Sequence, residues 1–246
     1  MKMGPHHSII CRLRLIGHGG APCPIDIKRQ MIEWWGPIFM EIYGSSEGLA
    51  TTAATSAEWL RHPGTVGRPL PGAEIRILDD DGRELPNGEV GNIYLRPYTQ
   101  ERFEYFRDSV KTESAYHGEL FTVGDLGYVN DQGYLFICDR KVDMIITGGT
   151  KVYSAEVERI LVLHPAVADC AVLGVPHPVL GESVHAVVQP VSDAQPGSKL
   201  SADILRFLSL HLSAEKIPIN IEYMQQLPRD PAGKLFKRRL RKHTDQ

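Results

Sequence analysis

The sequence contains no run of apolar residues near the ~18 that a membrane-spanning helix needs. Its first twenty residues, "MKMGPHHSIICRLRLIGHGG", lack the apolar core and cleavage site of a secretion signal. The expected compartment is therefore the cytoplasm. Cysteine is scarce: Cys11, Cys23, Cys138 and Cys170 are far apart and form no CxxC pair. That spacing excludes a zinc knuckle and a disulfide scaffold and predicts free thiols. Charge of one sign is also missing. Twenty-seven Lys and Arg oppose 30 Asp and Glu, a net −3, so neither nucleic acid nor an anionic membrane is indicated as the main partner. There are no internal repeats or low-complexity tracts.

Two familiar ligand motifs are absent despite first appearances. "LDDDGRELPNGE" has the look of a calcium loop, but Ile77 stands where the first ligand belongs. "TGGTK" and "PAGK" lack the first glycine of a phosphate-binding loop at its required spacing. The pair His6-His7 reads as part of a solvated terminus.

What remains is ordinary globular material, 42% hydrophobic and 23% charged over 246 residues, enough for one large or two small domains. "RLRLIGHGG" predicts a short strand entering a glycine loop. "PIDIKRQMIEWWG" predicts a helix, with Ile27, Met31, Ile32 and Trp35 near helical spacing and Gly36 as its stop. "IFMEIY" predicts the next strand. This order implies an α/β layer with its functional loops at the carboxyl ends of the strands. From about 65 to 140, apolar and polar residues alternate around Asp-Gly, Asn-Gly and Asp131-Gln132-Gly133 turns, which predicts a mostly antiparallel subdomain. From 141 to 246 the pattern is α+β. "MIITGG" reads as a strand and turn, and "SAEVERILVLHP" as a helix with Ser154 at its N-cap. "DCAVLGVPHP" and "ESVHAVVQPV" read as strands, and "SADILRFLSLHLSAE" as an amphipathic helix starting at Ser201. The expected fold class is thus α/β: a partial α/β layer to about 64, a β-rich subdomain to 140, and a small α+β domain over 141–246.

Four segments carry chemical promise. "GHGGAPCP" (Gly17 to Pro24) lets backbone approach a flat or anionic ligand, or is merely a tight turn. "EIYGSSEGLATT" (Glu41 to Thr52), expected as a loop, offers Tyr43 for a base and Ser45 or Ser46 for a phosphate. Its Glu47 offers a carboxylate for Mg²⁺; the alternative is a polar loop with an incidental acid. In "FTVGDLGY", Asp125 could accept from two vicinal hydroxyls or could simply cap a turn. "PRDPAGKLFKRRLRK" sets Lys234 at a loop tip, where it could neutralise charge at a phosphate or belong to a solvated basic tail.

Taken together and in order, "GGAP", "YGSSEG", "GRPLPG", "NGEVGNIYLR", "FTVGDLGYVNDQGYLF", "DRKVDMIITGGTKVYSAEVE" and "LPRDPAGKLFKRRLR" resemble the adenylate-forming superfamily. That group holds acyl-CoA synthetases, firefly-luciferase-like enzymes and nonribosomal-peptide adenylation domains. The likeness runs from about Leu13 to Arg241 and is nearest to fatty-acid and aromatic-acid CoA ligases. It implies an ATP-dependent ligase, with AMP, Mg²⁺ and coenzyme A, acting on a small carboxylate. It implies that Gly20, Ala21, Pro22, Tyr43, Gly44, Ser45 and Ser46 lie about the nucleotide and that Glu47 ligates Mg²⁺. Asp125 and Arg140 would hold the ribose. Lys234 would serve adenylation, with Ser46 and Glu47 beside it, and Gly148 and Gly149 would line the pantetheine channel. Ser46 replaces the usual threonine. Lys141 and Val142 fall at the hinge, where Asp or Lys is usual instead of Val142. No "TSGTTGxPKG"-like phosphate loop occurs. The chain is therefore expected to correspond to the C-terminal half of such an enzyme and to be weak or inactive alone. It would associate with itself or with a chain supplying the missing half. An acyl-AMP ligase that loads a carrier protein and a non-catalytic nucleotide-binding remnant are the alternative expectations.

Overall fold

The computed structural model describes residues 13–96, 98–99, 102–230 and 233–244. His6, His7 and Cys11 lie outside them. The described residues form a mixed α/β structure in two compact units divided between Ile137 and Cys138.

In the first unit, β1 (Ile16–His18) leads through the glycine loop to α1 (Ile25–Trp35) and returns in β2 (Phe39–Ser45). The two strands are parallel, with His18 opposite Glu41. Gly36 ends α1 at φ 84°, and its N–H is donated to the Ile32 carbonyl. Of the expected apolar face, Ile32 is buried and Met31 and Trp35 pack against the same core, whereas Ile27 is exposed and Lys28 is buried in its stead. Ile32, Phe39 and Trp59 form the small core beneath it.

Strand β3 (Leu49–Thr55) returns antiparallel to β2, and α2 (Ser56–Arg61) follows directly. The stretch expected as a loop is thus a hairpin whose turn is only Ser46–Gly48. Helix α2 starts with a reciprocal capping box. The Glu58 N–H is donated to Thr55 Oγ1, and the Glu58 carboxylate accepts from the Thr55 N–H at 2.9 Å.

Strand β4 (Arg68–Pro69) completes the first sheet, in the order β1-β2-β3-β4. Next come β5 (Glu74–Leu78), β6 (Gly91–Arg96), α3 (Ser109–Ala115), β7 (Tyr116–His117), β8 (Leu120–Phe121), β9 (Asp125–Val129) and β10 (Leu135–Arg140). The second sheet has the order β10-β9-β6-β8-β7, with β5 antiparallel to β6. Its core is Ile77, Ile93, Leu95, Phe121 and Leu135, joined by Tyr43 from the first sheet. Gly67 lets the two sheets meet. Its φ is 100°, and a Cβ there would sit 2.1 Å from the Ala53 carbonyl, so backbone packs on backbone.

The second unit opens with β11 (Ile145–Thr147) and β12 (Thr150–Val152), then α4 (Ser154–Leu161). Ser154 is not the N-cap. It is the first helical residue and fully buried, and Tyr153 precedes it with no capping side chain. The cap comes from Asp139, which accepts from Ser154 Oγ at 2.8 Å and from the Ala155 N–H at 3.2 Å. Burial of the serine hydroxyl demanded a tertiary partner, and that overrode the local capping signal.

Strands β13 (Val167–His177) and β14 (Gly181–Pro190) form a long hairpin. Helix α5 begins at Ser198, three residues before the expected Ser201, whose hydroxyl bonds Tyr223 instead. Strand β15 (Asn220–Tyr223) lies parallel to β14. The basic tail folds into α6 (Lys237–Thr244), with Leu240 buried against Ala171, Leu173, Val187 and Leu227. Leu161, Val172, Val188, Ile204 and Leu208 belong to the main core of the unit. No helix among the described residues is long and apolar enough to cross a membrane.

The capping box makes a pH prediction. Hydrogen bonding from the Thr55 N–H, then the Thr55 hydroxyl, with Arg68 adding to it, holds Glu58 down at about 2 instead of 4.5. The native unit binds this proton less readily than the unfolded chain, so the contribution is present above pH 4.5 and lost as pH falls towards 2. All three tryptophans, Trp34, Trp35 and Trp59, lie in the first unit, so their fluorescence reports its unfolding. Glu58→Ala should cost about 1 kcal/mol at neutral pH. In urea titrations its gap from the parent should close as the pH is lowered through that window.

Candidate active site

In the first unit, the expected residues gather at the carboxyl ends of β1 and β2. The loop Gly19 to Pro22 leaves β1, and a Cβ on Gly19 would meet the Ile42 carbonyl oxygen at 2.6 Å. The loop therefore lies directly on the backbone of β2. Gly20, at φ 82°, opens onto free space. Two positions further along β2 from His18's partner Glu41, Tyr43 is 9% exposed. Its hydroxyl is donated to Asp125 Oδ2 at 2.8 Å, joining residues 82 apart in the chain. Asp125 is the first residue of β9, after the turn residue Gly124 at φ 82°.

Glu47 sits in the hairpin turn, where its carboxylate accepts from the Tyr105 hydroxyl at 3.0 Å. Tyr105 is itself held. Its N–H is donated to Thr112 Oγ1, the Lys111 ammonium lies 3.7 Å from its ring centre, and Phe103 packs edge-on to it. Gly48 closes the turn. A Cβ there would come within 2.4 Å of the Phe121 ring, so the hairpin rests on the segment that leads to Asp125. Ser46 is exposed. Gly44 and Ser45 are half-buried, and the Ser45 hydroxyl has no hydrogen-bond partner among the described residues.

A charged cluster that the sequence reading did not single out lies behind the glycine loop. Glu41 accepts from His18 Nδ1 at 2.8 Å and pairs with the ammonium of Lys28. Lys28 is 2% exposed and Glu41 7%. Burial, then the charge of Lys28, lowers the His18 pKa, so this ring is neutral at pH 7 and its Nδ1–H faces the carboxylate. The only sequence signal was a lysine on the apolar side of α1.

In the second unit, Arg140 is exposed at the end of β10. Lys141 and Val142 belong to a 3₁₀ turn, Lys141–Asp143. The Arg241 guanidinium is donated to the Val142 carbonyl at 2.6 Å and the Asp143 carboxylate at 2.8 Å. Gly148 and Gly149 form the two-residue turn between β11 and β12, with φ 54° and 83°, the paired positive values such a hairpin requires. A cavity of about 270 Å³ lies beside Gly148, lined by Thr147, Leu180, Val184 and Ile217 among others.

Lys234 is exposed at the end of a tight loop. Asp230 Oδ1 accepts its N–H at 2.8 Å. Arg229 braces the same loop, clasping Asp169 with two 2.7 Å bonds and donating to the Gly233 carbonyl at 2.6 Å. Three residues on, the Lys237 ammonium pairs with Glu158 at 2.7 Å and with Ser154 Oγ at 2.6 Å. Burial raises the Glu158 pKa, and the adjacent Lys237 opposes that rise.

The structure thus brings together Gly20, Ala21, Pro22, Tyr43, Gly44, Ser45, Ser46, Glu47 and Asp125 in one unit. Arg140, Lys141, Val142, Gly148, Gly149 and Lys234 lie in the other. A family model described as AMP-binding enzyme matches residues 5–100, and one described as AMP-binding enzyme C-terminal domain matches residues 156–234.

The chain belongs to the adenylate-forming superfamily.

It is 37% identical over 236 residues to a fatty acid–acyl-carrier-protein ligase of Streptomyces coeruleorubidus, a match covering 93% of this chain and 44% of that protein. Among solved structures, ATP-bound MatB from Rhodopseudomonas palustris superposes with a TM-score of 0.85 at 35% identity, over 94% of this chain and 45% of that one. The o-succinylbenzoate CoA synthetase of Bacillus subtilis, in complex with its acyl-adenylate intermediate, gives 0.82 at 28% identity, over 95% and 48%. The chain spans a little under half the length of the curated relatives it matches.

Within this superfamily member, the buried pair behind the glycine loop should be structurally indispensable. Removing one partner of a buried ion pair strands the other charge, which costs about 3 kcal/mol or more. Glu41→Gln should therefore lose that much stability in tryptophan-monitored denaturation. His18→Ala, which removes a partly exposed neutral ring, should lose far less.

Proposed function

We propose that the chain supplies the adenosine and catalytic-lysine elements of a carboxylic acid ligase that works through an acyl-adenylate. The observation that carries this reading is the hydrogen bond from Tyr43 to Asp125. It draws the "YGSSEG" and "FTVGD" segments into one site at the strand ends, with Glu47 on the turn between β2 and β3. The family relationship adds weight, since one relative is an ATP-bound structure and another holds an acyl-adenylate.

In this reading the nucleoside lies along Gly20 to Pro22 and beside Tyr43. Asp125 takes the ribose hydroxyls, a role the family resemblance also gives to Arg140. The Ser45 and Ser46 hydroxyls are offered to the α-phosphate. Among the described residues no three potential ligands cluster as a protein cage for a metal. A lone Glu47 nevertheless fits Mg²⁺, which is commonly bound through one or two carboxylates together with substrate phosphates. Bound Mg²⁺ would offset phosphate charge and orient the leaving pyrophosphate.

The reaction joins two anions. A carboxylate oxygen attacks the α-phosphorus and pyrophosphate departs, so positioned donors and a cation lower the barrier. Lys234 supplies that cation from its braced loop. The second half-reaction passes the acyl group to a thiol. Coenzyme A is the acceptor we propose, entering past the Gly148-Gly149 turn, with a fatty or aromatic acid as acyl donor. A carrier-protein thiol is the second reading, favoured by the relative that is an acyl-carrier-protein ligase.

Calorimetry with AMP and with an acyl-sulfamoyl adenosine checks the nucleotide site. Binding that disappears in Asp125→Ala and Arg140→Ala supports it, whereas no binding by the parent protein supports a non-catalytic remnant. Lys234 is checked by half-reactions, run with any chain needed to complete the enzyme. Lys234→Ala should slow acyl-adenylate formation by about 100-fold or more while leaving thioester formation from preformed acyl-AMP nearly intact. Equal losses would contradict the assigned role.

A further inference from the structure

The aromatic ring of Tyr43 is the group expected beside adenine, yet most of it is inaccessible. At 9% exposure it packs with Ile77, Ile93, Leu95, Phe121 and Leu135, so its ring is fixed by the core. What the residue does present to the site is its hydroxyl, 2.8 Å from Asp125 Oδ2. We infer that Tyr43 is a positioning residue whose buried ring fixes a hydroxyl that holds the Asp125 carboxylate in the orientation a ribose diol requires. This rests on the nucleotide-site reading above.

Three observations support it. The ring is immobilised by the core, so its hydroxyl is a fixed point and not a floating donor. Asp125 begins a strand directly after a positive-φ glycine, so its backbone is set by a turn, and the Tyr43 hydroxyl reaches it from another sheet. A hydroxyl-to-carboxylate bond is charge-assisted and stronger than a neutral one. The competing explanation is that Asp125 merely satisfies a buried phenol.

Ribose deletion separates the two. AMP and 2′,3′-dideoxy-AMP are titrated by calorimetry into the full chain and into Tyr43→Phe, which keeps the ring and its core packing. The parent should prefer AMP by about tenfold or more, as expected for hydrogen bonds to a charged acceptor. Tyr43→Phe should lose most of that preference, binding AMP about tenfold more weakly with dideoxy-AMP changed by less than about twofold. Equal weakening of both ligands, or no change in either, overturns the positioning role while leaving Asp125-dependent AMP binding by the parent intact. A parent that binds neither nucleotide removes the nucleotide-site reading, and this inference with it.

Discussion

The contact of greatest consequence in the first unit is the seat of the β2–β3 hairpin on the neighbouring sheet. Gly48 lies where any Cβ would strike the Phe121 ring, and Gly67 lies where any Cβ would strike the Ala53 carbonyl. Both are short-range steric demands with almost no room for compromise, because one partner is a core aromatic and the other is backbone. The first brings the turn carrying Glu47 against the segment that leads to Asp125, and the second lets β3 lie on the residue that bridges to Leu135 of β10. The hydrogen bond from Tyr43 then has only a short span to close. The chemistry of the site is polar, but its assembly depends on two missing side chains and a buried phenylalanine.

The second unit solves a different problem by a different device. Its candidate lysine sits on an exposed loop next to a helix made mostly of basic residues. Left to itself, such a helix would repel its own charges and stay in solvent. Here Leu240 anchors it, and Lys237 reaches the Glu158 carboxylate and the Ser154 hydroxyl, which in turn bonds Asp139. Asp139 also caps α4 through the Ala155 N–H. One partly buried chain of polar groups thus ties the start of α4 to the helix that follows Lys234. Arg229 clasps the loop itself from the other end. Breaking such a chain at one member leaves buried charge uncompensated, which is a stronger constraint than the net stabilisation of any single pair.

Much of this was legible in the residues, and the parts that were not share a cause. Alternation and turn signals located the β5–β6 and β9–β10 hairpins, because those signals are local: a Gly with positive φ and side chains at period two. Gly36 as a helix stop and the Gly148-Gly149 turn were equally local. Ser154 and Ser201 misled, since each looks like a helix cap but is used for a tertiary hydrogen bond. The "YGSSEG" stretch reads as an open loop by composition, yet pairing with β3 makes its first half strand and leaves only Ser46–Gly48 as turn. Tyr105 carried no signal at all, since nothing in its surroundings shows that it will meet Glu47, 58 residues away. Lys28 was hidden for the opposite reason: a lysine on an apolar helix face reads as an error in the pattern until Glu41 is found opposite it.

These long-range partners have a common chemical character. Glu47 and Asp125 each accept from a tyrosine hydroxyl. A neutral donor orients a carboxylate without cancelling its charge, whereas an arginine or lysine in the same place would orient it and neutralise it together. The proposed function asks Glu47 for a cation and Asp125 for a diol, and a phenol suits both tasks because it adds no charge of its own. Each phenol is held in turn by its own surroundings, Tyr43 by the core of the second sheet and Tyr105 by Thr112 and Phe103.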